Sequence, residues 1–357
     1  MSLDLLILGA GVNGLLSALQ LALEGLRVGV VERGEPGRES TWAGAGILSP
    51  LLPWDYGREV NALCARGVAL WPEWIETLRD VGGIDPEYAV SGMLALSVPQ
   101  CDHILAWCRA QGWRAQAAES APAGLNVADA NGIWLPDVAQ VRNPRLARAL
   151  VAACQEAGVR IWSNTAALGW SLSDVRIEAL RSTAGELRAE RYVVCAGAWS
   201  QALLPEAGTA DIQPVRGQIL LFGVEPGLLP CIVYRDGRYL VPRRDGLILA
   251  GSTLERVGFD KSTTQEAGEA LREFARELLP GLRHAKPVQH WAGLRPGSPD
   301  NIPTVSVHPH IENLYLNSGQ FRYGVTMAPA CAELLCDLVM GREPALDAGP
   351  YRWRAAG

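Results

Sequence analysis

The sequence predicts an α/β fold: a discontinuous Rossmann-type nucleotide-binding domain into which an antiparallel-sheet domain is inserted. Three observations predict it. Residues 3–32 read as strand, glycine turn, helix, strand and terminal acid. Buried-strand signals of the same kind return in the middle of the chain and near its C-terminus, at Arg191–Cys195 and Leu314–Asn317. Between them the pattern changes to short strands joined by Asp-Gly turns, the mark of an antiparallel sheet.

Leu5-Leu6-Ile7-Leu8 has no polar face, as a strand covered on both sides requires. Gly9-Ala10-Gly11-Val12-Asn13-Gly14 follows at once and fits G-x-G-x-x-G. Gly9 permits the tight turn, Gly11 lets a pyrophosphate approach the backbone, and Gly14 lets helix and strand pack closely. Leu15, Leu19, Ala22 and Leu23 then recur at helical spacing, and Gly25 stops the helix. That helix presents free N–H groups and a positive dipole end to phosphate. Arg27–Val31 is the second strand. Glu32 at its end suits a ribose diol, which favours NAD or FAD over NADP.

The rest of the chain follows in order. Gly34–Pro53 reads as a loop, dense in small residues over Ala43–Gly46, so its backbone can lie against a flat ring system. Val60–Val81 is an amphipathic helix, Tyr88–Val98 a strand containing Gly92, and Asp102–Gln111 a helix. Ala115–Gly132 is irregular. Arg142–Gly158 is a helix with Pro144 in its first turn, and Val159–Trp162 a strand. Val175–Leu187 is a hairpin. Ile219–Phe222, Tyr234–Pro242 and Gly246–Gly251 belong to the antiparallel sheet, Gln265–Leu279 is a helix, and Trp291–Pro296 is a short strand. The last helix is Pro329–Met340, with proline at its start and Gly341 at its end. The nucleotide domain is therefore assigned residues 1–85, 140–212 and 293–357, and the inserted domain 86–139 and 213–292.

Composition narrows the function. A formal net charge of −6 over 357 residues disfavours a nucleic-acid surface. The eight cysteines show no CxxC and no regular spacing, so they read as buried thiols in a reducing cytoplasm. His308-Pro309-His310 lies in a proline turn without a carboxylate or cysteine cluster, and no metal is expected. The apolar N-terminus is interrupted by Gly9, Gly11, Asn13, Gly14 and Gln20, so it is neither a secretion signal nor a membrane span.

Four stretches together resemble the D-amino acid oxidase family of flavoproteins, and within it the glycine oxidase branch linked to thiamine biosynthesis. They are Gly9–Gly14 with Glu32, Ser40–Gly46, Trp291–Gly297 and Ser318–Pro329. Cys195–Ser200 and Val215–Gln218 fit as well, and the resemblance runs in order over nearly the whole chain. It implies non-covalent FAD held by Gly9, Gly11, Val12, Asn13, Gly14, Glu32, Arg33, Ser40, Thr41, Ala43, Gly44, Ala45, Gly46, Ala196, Gly197, Trp199, Gly319, Arg322, Tyr323 and Gly324.

By position, the resemblance makes Arg295 the grip on the substrate carboxylate and gives Tyr239 a hydroxyl on the same group. Arg322 borders the amine through its backbone carbonyl, and Ser49 and Leu254 line the pocket. The structural alternatives are a surface arginine at 295, a packing tyrosine at 239 and an ion pair at 322. The implied activity is oxidative deamination of glycine or another small amine. Hydride passes to flavin N5, O2 is reduced to H2O2, and the enzyme is a cytoplasmic homo-oligomer. A related dehydrogenase feeding a quinone or carrier, a flavin-binding or tRNA-modifying protein and an NAD-linked dehydrogenase are the competing readings. Asn301–Ser306 and Gln320–Tyr323 depart from the family pattern, which leaves the choice of substrate open.

Overall fold

The computed structural model describes residues 2–127, 132–205 and 210–354. Its first layer is a six-stranded sheet built from Leu3–Leu8, Val28–Val31, Arg160–Trp162, Ala189–Val194, Leu314–Ser318 and Thr304–Val307. Every neighbouring pair is parallel except the last, where Thr304–Val307 runs antiparallel along the edge. Leu3–Leu8 sits between Ala189–Val194 and Val28–Val31, which explains its unbroken apolar run: Leu5 to Leu8 are buried from both faces.

The helices Val12–Leu23, Arg58–Gly82, Asn143–Glu156 and Gly324–Met340 pack together, and their apolar faces join one core with the sheet. The second layer is an eight-stranded sheet. Its members are Pro287–Gly297, Gln213–Gly223, Leu247–Gly251, Arg238–Pro242, Ile232–Arg235, Met93–Leu96, Gly132–Leu135 and Gln116–Ala117. All its pairings are antiparallel but Ile232–Arg235 with Met93–Leu96. Helix Gln265–Leu278 closes its core through Leu271, Phe274, Ala275 and Leu278. Ala167–Ser173, Arg176–Ser182 and Gly185–Leu187 form a separate three-stranded sheet.

Several elements depart from the sequence reading. Tyr88–Val98 is not one strand. It breaks into Ala89–Val90 and Met93–Leu96, which join different sheets. Gly92 causes the break: its φ is +67°, and a Cβ there would lie 2.1 Å from the Trp134 ring. Gly34–Pro53 is not all loop, since Ser40–Ala43 forms one helical turn and Ile47–Leu48 a short strand. Trp291–Pro296 lies inside an eleven-residue strand, Pro287–Gly297. The strands Ala167–Ser173 and Thr304–Val307 were not foreseen. Part of the stretch expected to be irregular, residues 128–131, lies outside the described residues.

The last helix begins at Gly324, so Pro329 is internal rather than at the first turn. An internal proline leaves the carbonyl four residues earlier without its donor. Here that is Val325 O, and the buried Trp71 indole N–H donates to it at 3.1 Å. Four residues from Trp71, Gly67 brings the two helices together, since a Cβ there would lie 2.1 Å from Thr326 O. The helical run Phe321–Met340 is long and apolar enough by composition to cross a membrane, but its helix packs inside the core against Val12–Leu23 and Arg58–Gly82.

The His308 turn is also explained. Its Nδ1 accepts the backbone N–H groups of His310 and Ile311, both at 3.1 Å, while its ring packs on Trp353. Burial, with His310 adding to it, pushes the His308 imidazole down from 6.5 to about 4.

Two outcomes are expected. Trp71→Phe strands the Val325 carbonyl and lowers stability by about 1–3 kcal/mol, read as a lower urea midpoint at unchanged slope. A histidine held neutral stabilises the fold fully above its unfolded pKa, and that contribution is lost as pH falls. Wild type therefore loses more stability than His308→Gln between pH 6.5 and about 4, and melting curves taken across that window check it.

Candidate functional site

One cavity runs along the carboxyl ends of the parallel strands and into the seam between the two large sheets, where open α/β folds place their ligands. At its first end is the glycine turn. Gly9 has φ +107°, and a Cβ there would lie 2.5 Å from Cys195 O. A Cβ on Gly14 would lie 2.0 Å from Gly9 O. These two positions seal the turn onto the sheet behind it. Gly11 is different, because the nearest atom to its absent side chain is Thr41 Oγ1 at 3.3 Å, and the residue faces the cavity. The N-cap position, Gly11, supplies no side-chain cap. Instead Thr41 Oγ1 accepts the Val12 N–H at 2.8 Å from 29 residues away.

Glu32 stands at the end of the second strand. Its two oxygens accept from Ala10 N at 2.9 Å and Gly34 N at 3.0 Å. This fixes the carboxylate beside the turn while lone pairs remain for a diol. Arg33 stacks over the Trp199 ring at 3.7 Å and pairs with Glu39 at 2.9 Å. Thr165, Ala166 and Ala167 complete this end of the wall.

Ser40–Gly46 forms the middle of the wall, and its small residues answer to what lies behind them. A Cβ on Gly44 would meet Asn143 Nδ2 at 2.7 Å, and one on Gly46 would meet Val141 O at 2.1 Å. Ala43 fills the space that Gly293 leaves open, 2.5 Å from that glycine's absent Cβ. Asn143 Nδ2 donates to Thr41 O at 2.5 Å, Trp291 Nε1 to Ala43 O at 3.0 Å, and Arg243 Nη2 to Ala45 O at 2.6 Å. A loop pinned from behind in this way presents a bare, rigid backbone to the cavity. With the glycine turn, the anchored Glu32 and an uncapped helix start, the wall fits an adenine dinucleotide carrying a flat ring, as FAD does.

At the far end stand Tyr239, Ser252 and Arg295. Arg295 lies on the Pro287–Gly297 strand against Gly217, whose Cβ would collide with the guanidinium at 2.1 Å. It donates to Ser252 Oγ at 2.7 Å and to Thr253 O at 3.2 Å, both neutral. Burial pushes its pKa below the ordinary guanidinium value, and Tyr239 beside it acts in the opposite direction. The contrast is Arg216, 4 % exposed and paired with Glu255 and, at 2.6 Å, with Asp260. The Ser49 hydroxyl, 3 % exposed, also lines the cavity and has no partner within the described residues.

Most of the expected residues therefore meet in one cavity. Gly9, Gly11, Val12, Asn13, Glu32, Arg33, Ser40, Thr41, Gly44, Ala45, Gly46, Ser49, Ala196, Gly197, Trp199, Tyr239, Arg295, Arg322, Tyr323 and Gly324 line it. Gly14, Ala43, Gly319 and Leu254 do not. Gly14 and Ala43 pack behind the wall. Gly319 turns at φ +88° with its carbonyl accepting from Ser298 Oγ at 2.6 Å. Leu254 is 45 % exposed and stands outside the pocket it was expected to line. Of the two departures from the family pattern, Gln320–Tyr323 lies in the wall and Thr304–Ser306 lies on the sheet edge, away from it. Ser252 was missed, because no motif marks a serine that only folding brings beneath Arg295. Thr165–Ala167 were missed because they read as ordinary linker.

A family model described as FAD dependent oxidoreductase matches residues 4–338. The chain is 44 % identical to a glycine oxidase of Pseudomonas aeruginosa and 41 % identical to a glycine oxidase of Pseudomonas putida, each alignment covering 98 % of both chains. The crystal structure of glycine oxidase from Geobacillus kaustophilus superposes with a TM-score of 0.94 at 28 % identity, covering 100 % of both chains.

Glu32→Ala removes an acceptor whose geometry two backbone donors have fixed. It is expected to weaken FAD binding by about ten- to a hundredfold, measured by fluorescence quenching as FAD is titrated into deflavinated protein.

Proposed function

The chain belongs to the FAD-dependent oxidoreductase family, and from that premise we infer that it catalyses the oxidative deamination of glycine. One observation carries the choice of an amino acid as substrate. Arg295 is a half-buried, largely desolvated cation whose side-chain hydrogen bonds, among the described residues, go to neutral oxygens, at the end of the cavity opposite the nucleotide turn. A guanidinium held this way is costly unless an anion completes it. A carboxylate does so with two parallel hydrogen bonds that fix orientation as well as charge.

The chain's own residues then have distinct tasks. Arg295 holds the substrate carboxylate and Tyr239 adds its hydroxyl to the same group. The backbone carbonyl of Arg322 accepts from the amine and so turns Cα toward the pinned Ser40–Gly46 wall. The carboxylates on the cavity wall, Glu32 and Glu39, both lie at the nucleotide end. Glu255, which acts on Arg295 electrostatically, is already held by Arg216, Gln218 and Thr253 and lies off the cavity wall, so the amine enters neutral, after losing its proton to solvent. Bound without a covalent link, FAD supplies the hydride acceptor, and O2 receives the electrons as H2O2. The Gly324–Met340 helix reaches the wall through Gly324, Val325 and Thr326, and its N-terminal dipole end favours negative charge developing there. Positioning is thus the protein's main contribution. Eight free cysteines support a reducing, cytoplasmic setting, and the family resemblance supports a homo-oligomer.

Mixing the yellow protein with glycine without air is expected to bleach the flavin band at about 450 nm. Admitting air should restore it with release of peroxide, whereas an electron carrier would be needed if the enzyme were a dehydrogenase. Arg295→Ala is expected to weaken glycine binding about a hundredfold or more in the same assay. Unchanged affinity in that variant would overturn the assignment.

A further inference from the structure

Arg295 is not the only cation on the cavity wall without an acid. Arg322 lies on the same wall, and among the described residues its guanidinium has one side-chain partner, the Tyr56 hydroxyl at 3.5 Å. The neighbouring aromatic side chains are phenols as well. Tyr323 packs edge-on against Tyr56 with ring centroids 5.0 Å apart, and Tyr234 lies close enough to interact with Arg322 electrostatically. Phenols pack beside a guanidinium without neutralising it, and the Arg322 side chain stays exposed on the cavity wall.

Arg243, whose side-chain hydrogen bonds also go to neutral oxygens, behaves differently. It donates to Gln140 Oε1, Val141 O and Ala45 O at 2.6, 3.0 and 2.6 Å, and it does not reach the wall. Its donors serve the protein, whereas most of those on Arg322 stay open. The Arg322 backbone is separately anchored, its N–H donating to Asn301 Oδ1 at 3.1 Å. The residue can therefore present its carbonyl to an amine while its side chain does something else.

We propose that Arg322 is the specificity-determining cation of this pocket: its guanidinium takes a second carboxylate carried on the substrate nitrogen. The site then accepts N-carboxymethyl amino acids, in which a secondary amine bridges two carboxylates, as well as glycine. One carboxylate lies on Arg295, the nitrogen lies beside the Arg322 carbonyl, and the second carboxylate reaches the Arg322 fork. The inference rests on the reading of Arg295 given above. The reaction is the same deamination.

Two inert ethers separate binding from turnover in the holoenzyme. Diglycolate carries two carboxylates about an ether oxygen, and methoxyacetate carries one. Titrated against the flavin absorbance spectrum, diglycolate is expected to bind wild type at least about tenfold more tightly than methoxyacetate. Arg322→Gln should abolish that preference, and Arg322→Lys, a point charge without the fork, should keep part of it. The ratio of kcat/KM for iminodiacetate over sarcosine should fall by the same factor in Arg322→Gln. Equal binding of the two ethers to wild type, or a preference that survives in Arg322→Gln, overturns the proposal. Glycine added to the same cuvette tells the two readings apart. If it bleaches the flavin while diglycolate shows no advantage, only the role of Arg322 falls. If glycine leaves the flavin unchanged and neither ether perturbs it, the amino-acid pocket itself falls, and this inference with it.

Discussion

The architecture depends on how closely three backbones approach at the end of the first strand. The absent side chain of Gly9 faces Cys195 O and that of Gly14 faces Gly9 O, with room for no carbon at either place. Strand, turn and helix are thereby drawn to one point at the centre of the parallel sheet. From there the connections diverge, and the crevice they leave at the carboxyl ends becomes the cofactor wall. Gly11, between these two, has no such pressure on it from the protein. Two glycines of the motif serve the fold and one serves the ligand, which is why the motif is demanding as a set.

The second organising feature is the way the chain treats its arginines. Arg216 is buried and meets two acids, and it ties down the segment that contains Glu255 and Asp260. Arg243 is buried and meets three neutral oxygens, and it ties the cofactor loop to the inserted sheet. Its pKa is pushed to about 10, chiefly by burial. Arg295 is half-buried on the cavity wall and meets two neutral oxygens, with donors left over. Coulomb attraction within the protein stabilises the first and hydrogen bonding the second, while the third keeps donors that an anion could complete. The gradation sets Arg295 apart from the two structural arginines on physical grounds, without appeal to motif.

What could be read in the sequence follows the same division. Period and punctuation gave the nucleotide-binding unit almost residue for residue, because strand Leu3–Leu8 and helix Val12–Leu23 are set by local apolar pattern and by glycine. Elements decided by distant partners were harder. The break at Gly92 comes from Trp134, some forty positions on. The helix that passes through Pro329 is tolerated because Trp71, far away in the chain, replaces the lost donor. The cavity shows the same pattern. Most residues that a motif marks lie on the wall, though Gly14, Ala43 and Gly319 do not, whereas Ser252 gains its place only through the fold, and Leu254, inferred from position alone, is exposed.

The rigidity of the Ser40–Gly46 loop connects these points to function. A reaction that needs no side-chain base gains rate mainly from holding Cα at one distance and angle, so both surfaces that confine it must be stiff. On one side, Arg295 sits on an eleven-residue strand, paired with Val215 near the end of its hydrogen-bonded run, and is backed by Gly217. On the other, the loop is held by Asn143 from the nucleotide domain and by Trp291 and Arg243 from the inserted sheet. Trp291 is four residues before Arg295 on the same strand, so one element both grips the loop and carries Arg295, the proposed partner of the carboxylate. The distance between cofactor wall and carboxylate is therefore spanned by a single β-strand rather than by a flexible connection. That makes the seam between the two sheets the part of the molecule on which the geometry of the reaction depends most.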